Sequence, residues 1–263
     1  MKIRIKLYSF ILLLLLMSLC CGMAQTYGDF TYKTNEDGSI TITRYTGNSK
    51  DVVVPGEIDG KNVTAIGFST FSYNEYIETV SVPNTVEIIH WRAFFSCTNL
   101  KSIDLSSELE EIGMETFKNC TSLEKIAIPK KVTRLKSKLF DGCSNLKDVS
   151  LHSDLNIISE YAFQFCSSLT GIHLPDGVKE VGFGAFNFCT SLTEIAIPQS
   201  VTIIGQLAFN RCDELLKISI LSSDVNIEKD AFRKCGLAII YANDGSTGAA
   251  YAKTNKMPLV ILK

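Results

Sequence analysis

"AFNFCTSLTEIAIPQSVTIIGQLAFNRC", residues 185–212, opens and closes on one pattern, Ala185-Phe186 before Cys189 and Ala208-Phe209 before Cys212. The interval is 23 residues, and it recurs along the chain without a slip. Cysteine stands at Cys97, Cys120, Cys143, Cys166, Cys189, Cys212 and Cys235, and Asn74 opens the column. Phenylalanine stands three residues earlier, at Phe71, Phe94, Phe117, Phe140, Phe163, Phe186, Phe209 and Phe232. The positions three, six and eight residues after the cysteine are aliphatic, as in Leu192, Ile195 and Ile197. About eight units at a fixed period mark a stacked-repeat array.

The unit reads L-x-x-I-x-I-P-x-x-V-x-x-I-G-x-x-A-F-x-x-C. The alternation Ile195-Ala196-Ile197, closed by Pro198, has period two and predicts a strand of about three to five residues. The V-x-x-I-G-x-x-A-F stretch has spacings of three and four, which predict a tight helical turn or irregular coil. One strand and one turn make a single coil of a solenoid, and stacking buries an apolar column that no isolated repeat could bury.

Stacking also decides what the cysteines do. Equivalent residues of adjacent coils lie roughly 4.8 Å apart, but their side chains point the same way, whereas a disulfide needs its Cβ atoms turned toward each other. Seven is also an odd number to pair. Metal-ligand spacings such as C-x-x-C are absent, and His90, His152 and His173 fall in different columns. The column therefore predicts reduced, buried, structural thiols whose weak donor meets a backbone carbonyl of the turn.

The unit "LTEIAIPQSVTIIGQLAFNRCDEL", residues 192–215, resembles the BspA-type leucine-rich repeat, found in surface and secreted proteins of bacteria and in some mucosal protozoa. The resemblance covers residues from about 50 to 241. It implies an α/β repeat solenoid: a right-handed leucine-rich-repeat coil with a parallel β-ladder and no catalytic residues. Some members of that family are adhesins for extracellular-matrix proteins or other bacteria.

Both ends depart from the repeat, as the ends of a solenoid must to cover core and strand edge. Residues 25–50 alternate on either side of Asp37-Gly38, a hairpin signal, and predict an N-terminal β-hairpin cap. The repeats then occupy residues 51–241. In residues 242–263, Ser246 or Thr247 caps a short helix, Pro258 follows its end, and a last apolar strand completes a helix/strand cap.

Residues 1–24 predict an export signal: Lys2, Arg4 and Lys6 precede an apolar run, and Gly22-Met23-Ala24 supplies small residues for cleavage. A lipid anchor at Cys20 or Cys21 is the rival reading and the one route to a membrane, but Met17-Ser18-Leu19 lacks the small residue wanted before a modified cysteine. The expectation is an exported protein, secreted or held at the cell surface.

The three cations of that segment are its only charges, so 23 basic residues face 28 acidic ones in the remainder, a formal charge of −5. Nucleic acid is excluded as a partner on that balance. No phosphate loop, dinucleotide fingerprint or nucleophile elbow is present, so neither a cofactor nor an enzyme is expected. Glycines instead share a repeat column, Gly67, Gly113, Gly182 and Gly205, which predicts a turn with positive φ.

Binding is sought where repeats differ. The outward strand positions form a small, polar face of mixed charge that includes Asp104, Lys125, Asp148, His173 and Glu194 and carries no aromatic residue. A second column places Phe68, Trp91 and Met114 in three consecutive coils, turns polar at Ser137 and Glu160, and returns to an aromatic at Phe183. A further column adds Phe165 and Phe188. An apolar strip of that kind marks an interaction site unless cap or turn packing covers it. The expected function is an adhesin-like binding module for a host-matrix or microbial surface protein. A surface glycan-binding protein is the alternative, and an enzyme the remoter one.

Overall fold

The computed structural model describes residues 24–236 and 238–262; the export signal and the candidate anchor cysteines lie outside them, apart from Ala24. The chain is a parallel β-solenoid whose coils repeat every 23 residues, with a single short helix, Thr247–Thr254, among the described residues. The α component is confined to that terminal helix. Before the first coil, Gln25–Tyr27, Phe30–Thr34 and Ile40–Tyr45 form an antiparallel meander, and the last of these strands pairs in parallel with Lys61–Ile66. After the last coil, Leu259–Leu262 pairs in parallel with Ile239–Asn243. Ser246 rather than Thr247 caps the helix, its hydroxyl accepting from the Ala249 N–H at 3.2 Å; the Thr247 hydroxyl accepts from the Val225 N–H at 2.9 Å.

Each coil carries two strand positions where the sequence predicts one. The alternating segment forms the first ladder, as in Thr79–Ser81, Ser102–Asp104 and Lys125–Ala127. The chain then turns on the proline, with the Val201 N–H donating to the Pro198 carbonyl at 3.1 Å. Two residues of the V-x-x-I-G stretch pair again, as in Ile157–Ile158, Glu180–Val181 and Ile203–Ile204. Two residues are too short to show alternation, so the turn spacing hides this second ladder. The first ladder is interrupted at residues 171–174, between Asp148–Ser150 and Glu194–Ile197, and the second between Glu111–Ile112 and Arg134–Leu135. The interruptions fall in different coils, so neither opens the stack across its whole section.

A third row of hydrogen bonds runs along the Phe-Cys turns. The Tyr73, Ser96, Asn119, Gly142, Phe165, Phe188 and Arg211 N–H groups donate to carbonyls of the following coil at 2.8–2.9 Å. These residues all have φ between 55° and 79°, and so do most of a second column, Ser69, Arg92, Glu115, Lys138, Tyr161, Gly184, Leu207 and Asp230, at 52–60°. Left-handed backbone costs a non-glycine residue roughly 1–2 kcal/mol, and coil-to-coil bonds hold all of these but Leu207 and Asp230 there. The predicted glycine column behaves otherwise. Gly67, Gly113, Gly182 and Gly205 do not have positive φ; a Cβ at Gly205 would stand 2.7 Å from the Phe183 nitrogen, and one at Gly182 2.9 Å from that of Glu160. Close approach of the preceding coil explains these glycines. Other coils fill the column with His90, Lys136 and Ser159, so glycine is a local packing choice.

The core follows the two columns read from the sequence. The eight phenylalanine rings stack at 4.7–5.6 Å, tilted by no more than 17°. Phe30 and Tyr45 close the stack at Phe71, and Tyr251 meets Phe232 edge-on at 5.8 Å. Every cysteine from Cys97 to Cys235 is a free, buried thiol, donating to the carbonyl of the preceding coil's phenylalanine at 2.9–3.3 Å. At the first coil, where no such coil precedes, the Asn74 amide donates to the Gly47 carbonyl at 3.3 Å and accepts from the Tyr76 and Ile77 N–H groups.

Burial pushes the Cys97 and Cys235 thiols up to about 12 and raises the other five as well. A thiol of pKa 12 is thiolate in only about one molecule in 10⁴ at pH 8, and the thiolate is the nucleophile. All seven should therefore resist iodoacetamide at pH 8 in the native protein and react once it is unfolded in urea; mass spectrometry counts the adducts. Rapid native labelling of any one would show that its coil is open.

Candidate interaction surfaces

The apolar strip lies uncovered on the turns that follow the second ladder. Phe68 is 64% exposed, Trp91 41% and Met114 49%. Their spacing is fixed by the backbone, because the Ser69 N–H donates to the Trp91 carbonyl at 3.2 Å and the Arg92 N–H to that of Met114 at 3.1 Å. The cap therefore leaves the strip open.

Charged neighbours hold its central side chain. The Arg92 guanidinium stands 4.4 Å over the Trp91 ring, and its Nε donates to Glu115 Oε2 at 2.5 Å. The same oxygen accepts from the indole Nε1 at 3.4 Å, and Lys138 Nζ lies 3.9 Å from Oε1. Burial works to raise the Glu115 carboxyl, but the hydrogen bond and charge of Arg92 outweigh it and leave the group below the usual range. Glu115 is thus a carboxylate at neutral pH, bonded to both the Trp91 ring and its cation. Phe68 packs on His90 with ring centres 4.7 Å apart. An indole held in this way gives up little freedom when a partner covers it.

The outward face of the first ladder carries Asp104, Lys125, Asp148, His173 and Glu194, all exposed. They do not form one cluster. Asp104 and Lys125 line a recess of about 400 Å³ with Asp51 and Ser102. His173 and Glu194 line another of about 380 Å³ with Gly171 and Lys217, at the interruption of the ladder. A Cβ at Gly171 would meet nothing within 4 Å, which leaves that recess open. Asp148 pairs in register with Lys125, between the two.

Two members of this face are not apparent from the 23-residue period. Tyr241 pairs with Ser219 and brings an aromatic ring onto a face expected to lack one, with Lys217 Nζ 5.8 Å from its centre. The last coil is one residue shorter between Cys235 and Ile240 than between Cys212 and Ile218, which takes Tyr241 out of the column. Val53, 72% exposed, pairs with Ser81 across a spacing of 28 residues. Tyr73 and Tyr76, 70% and 62% exposed, lie beside Asn74 in the first coil. Phe165 and Phe188 pack together at 4.9 Å, with the Arg211 guanidinium 5.4 Å over Phe188. Among the described residues no three His, Cys, Asp or Glu side chains gather as metal ligands, and no helix is long and apolar enough to cross a membrane.

A comparison with curated proteins finds no match. Among solved structures, a leucine-rich repeat protein from T. pallidum is 26% identical, with a TM-score of 0.57 over 89% of this chain and 96% of its own. A leucine-rich cell surface protein from Faecalibacterium prausnitzii shares the fold at 22% identity, with a TM-score of 0.53 over 91% of this chain and 94% of its own. The sequence model of the BspA type leucine rich repeat region matches six copies, over residues 64–182 and 138–248. With most of its length matched and its coils stacked as that repeat requires, the chain belongs to the BspA-type leucine-rich repeat family.

Proposed function

We propose that the chain is an exported, non-enzymatic binding module, adhesin-like, that holds a host-matrix or microbial surface protein through its solenoid surface. The observation that carries this reading is the uncovered strip of Phe68, Trp91 and Met114, with Trp91 fixed by Arg92 and Glu115. Tryptophan and arginine at the centre of an apolar patch are the side chains on which protein interfaces most often depend. The polar face bearing Asp104, Lys125, His173 and Glu194 would supply orientation rather than affinity. Export rests on residues 1–24, and surface location on that segment together with the cell surface protein that shares the fold.

The test is binding of the full chain to an array of matrix proteins, bacterial surface proteins and glycans, with Trp91→Ala alongside. A protein ligand should be bound, and the variant should lose at least about 2 kcal/mol, roughly thirtyfold in Kd. Its thermal midpoint should hardly move, because the indole is not part of the core. Glycan-only binding would overturn the reading. Undiminished protein binding by the variant would take the site off the strip, and Lys125→Glu would then test the strand face.

A further inference from the structure

The row of hydrogen bonds along the Phe-Cys turns has a direction: each coil donates N–H groups to the carbonyls of the next. After the coil that carries Phe232, the described residues supply no further coil to accept them. Arg211 still donates to the Arg233 carbonyl at 2.9 Å, but the equivalent N–H of Lys234 has no partner among the described residues, and neither has that of Asp230. Between them the Phe232 N–H reaches only the Tyr251 hydroxyl, at 3.5 Å. The terminal helix covers the phenylalanine stack and does not continue this row. A recess of about 320 Å³ is lined there by Asp230, Phe232, Lys234, Tyr251, Lys256 and Met257.

The charge around this recess is lopsided. Arg233, Lys234 and Lys256 line it, against one carboxylate, Asp230. None of the three cations forms an ion pair among the described residues, whereas seven cations between Lys50 and Lys138 do. Outward-pointing N–H groups, free cations and a concave wall are what a bound oxyanion needs.

We propose that the open C-terminal end of the solenoid is a binding site for a dianionic sulfate or phosphate group, held by the Lys234 N–H and by the side chains of Arg233, Lys234 and Lys256. The surplus of two positive charges favours a dianion over a single carboxylate. The group is either a free dianion or a phosphate monoester on a larger ligand, and the site is independent of the apolar strip.

Amide NMR of the full chain, titrated with sodium sulfate and with phosphate against sodium chloride at equal ionic strength, tests this. Saturable shifts are expected at the amides of Asp230, Lys234 and Gly236 with the dianions alone. Lys234→Asn and Lys256→Asn keep residues that tolerate the φ of 57° and 56° found there, and each should weaken binding about two- to fivefold. A phosphorylated oligosaccharide, set against its dephosphorylated form, separates the two sources: tighter binding than inorganic phosphate, lost on dephosphorylation and weakened in both variants, identifies an ester. Equal shifts with chloride, or affinities unchanged in both variants, would overturn the site.

Discussion

Between pH 8.5 and 9.5 the protein should lose most of its stability, far more steeply than a solenoid without the cysteine column. An unfolded cysteine ionises near pH 8.5, while the seven column thiols are held neutral well above that by burial. Their folded pKa is the raised one, so their contribution is fully present below about pH 8.5 and is lost as pH rises, because only the unfolded chain can release the protons. One unit above the unfolded pKa each thiol costs about 1.4 kcal/mol, and seven together cost about 10 kcal/mol if the stack unfolds as one. That is comparable with the whole stability of an ordinary domain, about 5–15 kcal/mol. Urea unfolding under reductant at half-unit steps from pH 7.5 to 9.5 reads the effect. The slope of stability against pH should approach seven protons, and Cys143→Ala should reduce it by one. A flat profile would mean that the column thiols are already accessible in the folded state.

The same column shows how far the sequence could be read. Cys97 to Cys235 and Phe71 to Phe232 keep an unbroken 23-residue step because each meets its own copy in the next coil, so a packing requirement became a visible period. The second ladder left no such mark, since Ile203–Ile204 and its equivalents are too short to alternate. The left-handed columns were equally silent. Ser, Arg, Glu, Lys, Tyr, Leu and Asp occupy the positions from Ser69 to Asp230, and only Gly184 carries the residue that would announce positive φ. From Ser69 to Gly184 the backbone is held by hydrogen bonds to the next coil, not by side-chain identity.

The candidate surfaces were legible as columns but not as exposures. Periodicity places Phe68, Trp91 and Met114 in line; only the solenoid shows that the N-terminal strands leave them uncovered and that Glu115 bridges Trp91 and Arg92. Tyr241 was missed because a missing residue takes it off the period, whereas Val53 lies in a strand readable from the match of Val52 and Val54 to Val80 and Val82. The recess at the C-terminal end has no signature in any repeat, because it arises where the repeat stops.

Replacing a central phenylalanine should be the most damaging single truncation in the chain. Phe163 is fully buried and stacks on Phe140 at 5.3 Å and on Phe186 at 5.1 Å. Phe163→Ala should cost about 3–5 kcal/mol, since the cavity it leaves is walled by two rings whose own places are fixed by coils beyond them. Stacking on the ring above and on the ring below is worth about 0.5–1.5 kcal/mol each and falls within that figure. Backbone bonds do not compensate or suffer, because the Phe163 N–H still donates to Ala185 and its carbonyl still accepts the Cys189 thiol. Phe232→Ala should cost less. Phe232 has one stacked neighbour, Phe209, and on its other side the edge of Tyr251, carried by a terminal helix that can shift toward the space. In a stack where each coil touches only its neighbours, the cost of a truncation follows the number of interfaces it opens. Chemical denaturation of the two variants at pH 7 measures the difference, and equal losses would mean that the terminal helix holds Phe232 as firmly as another coil would.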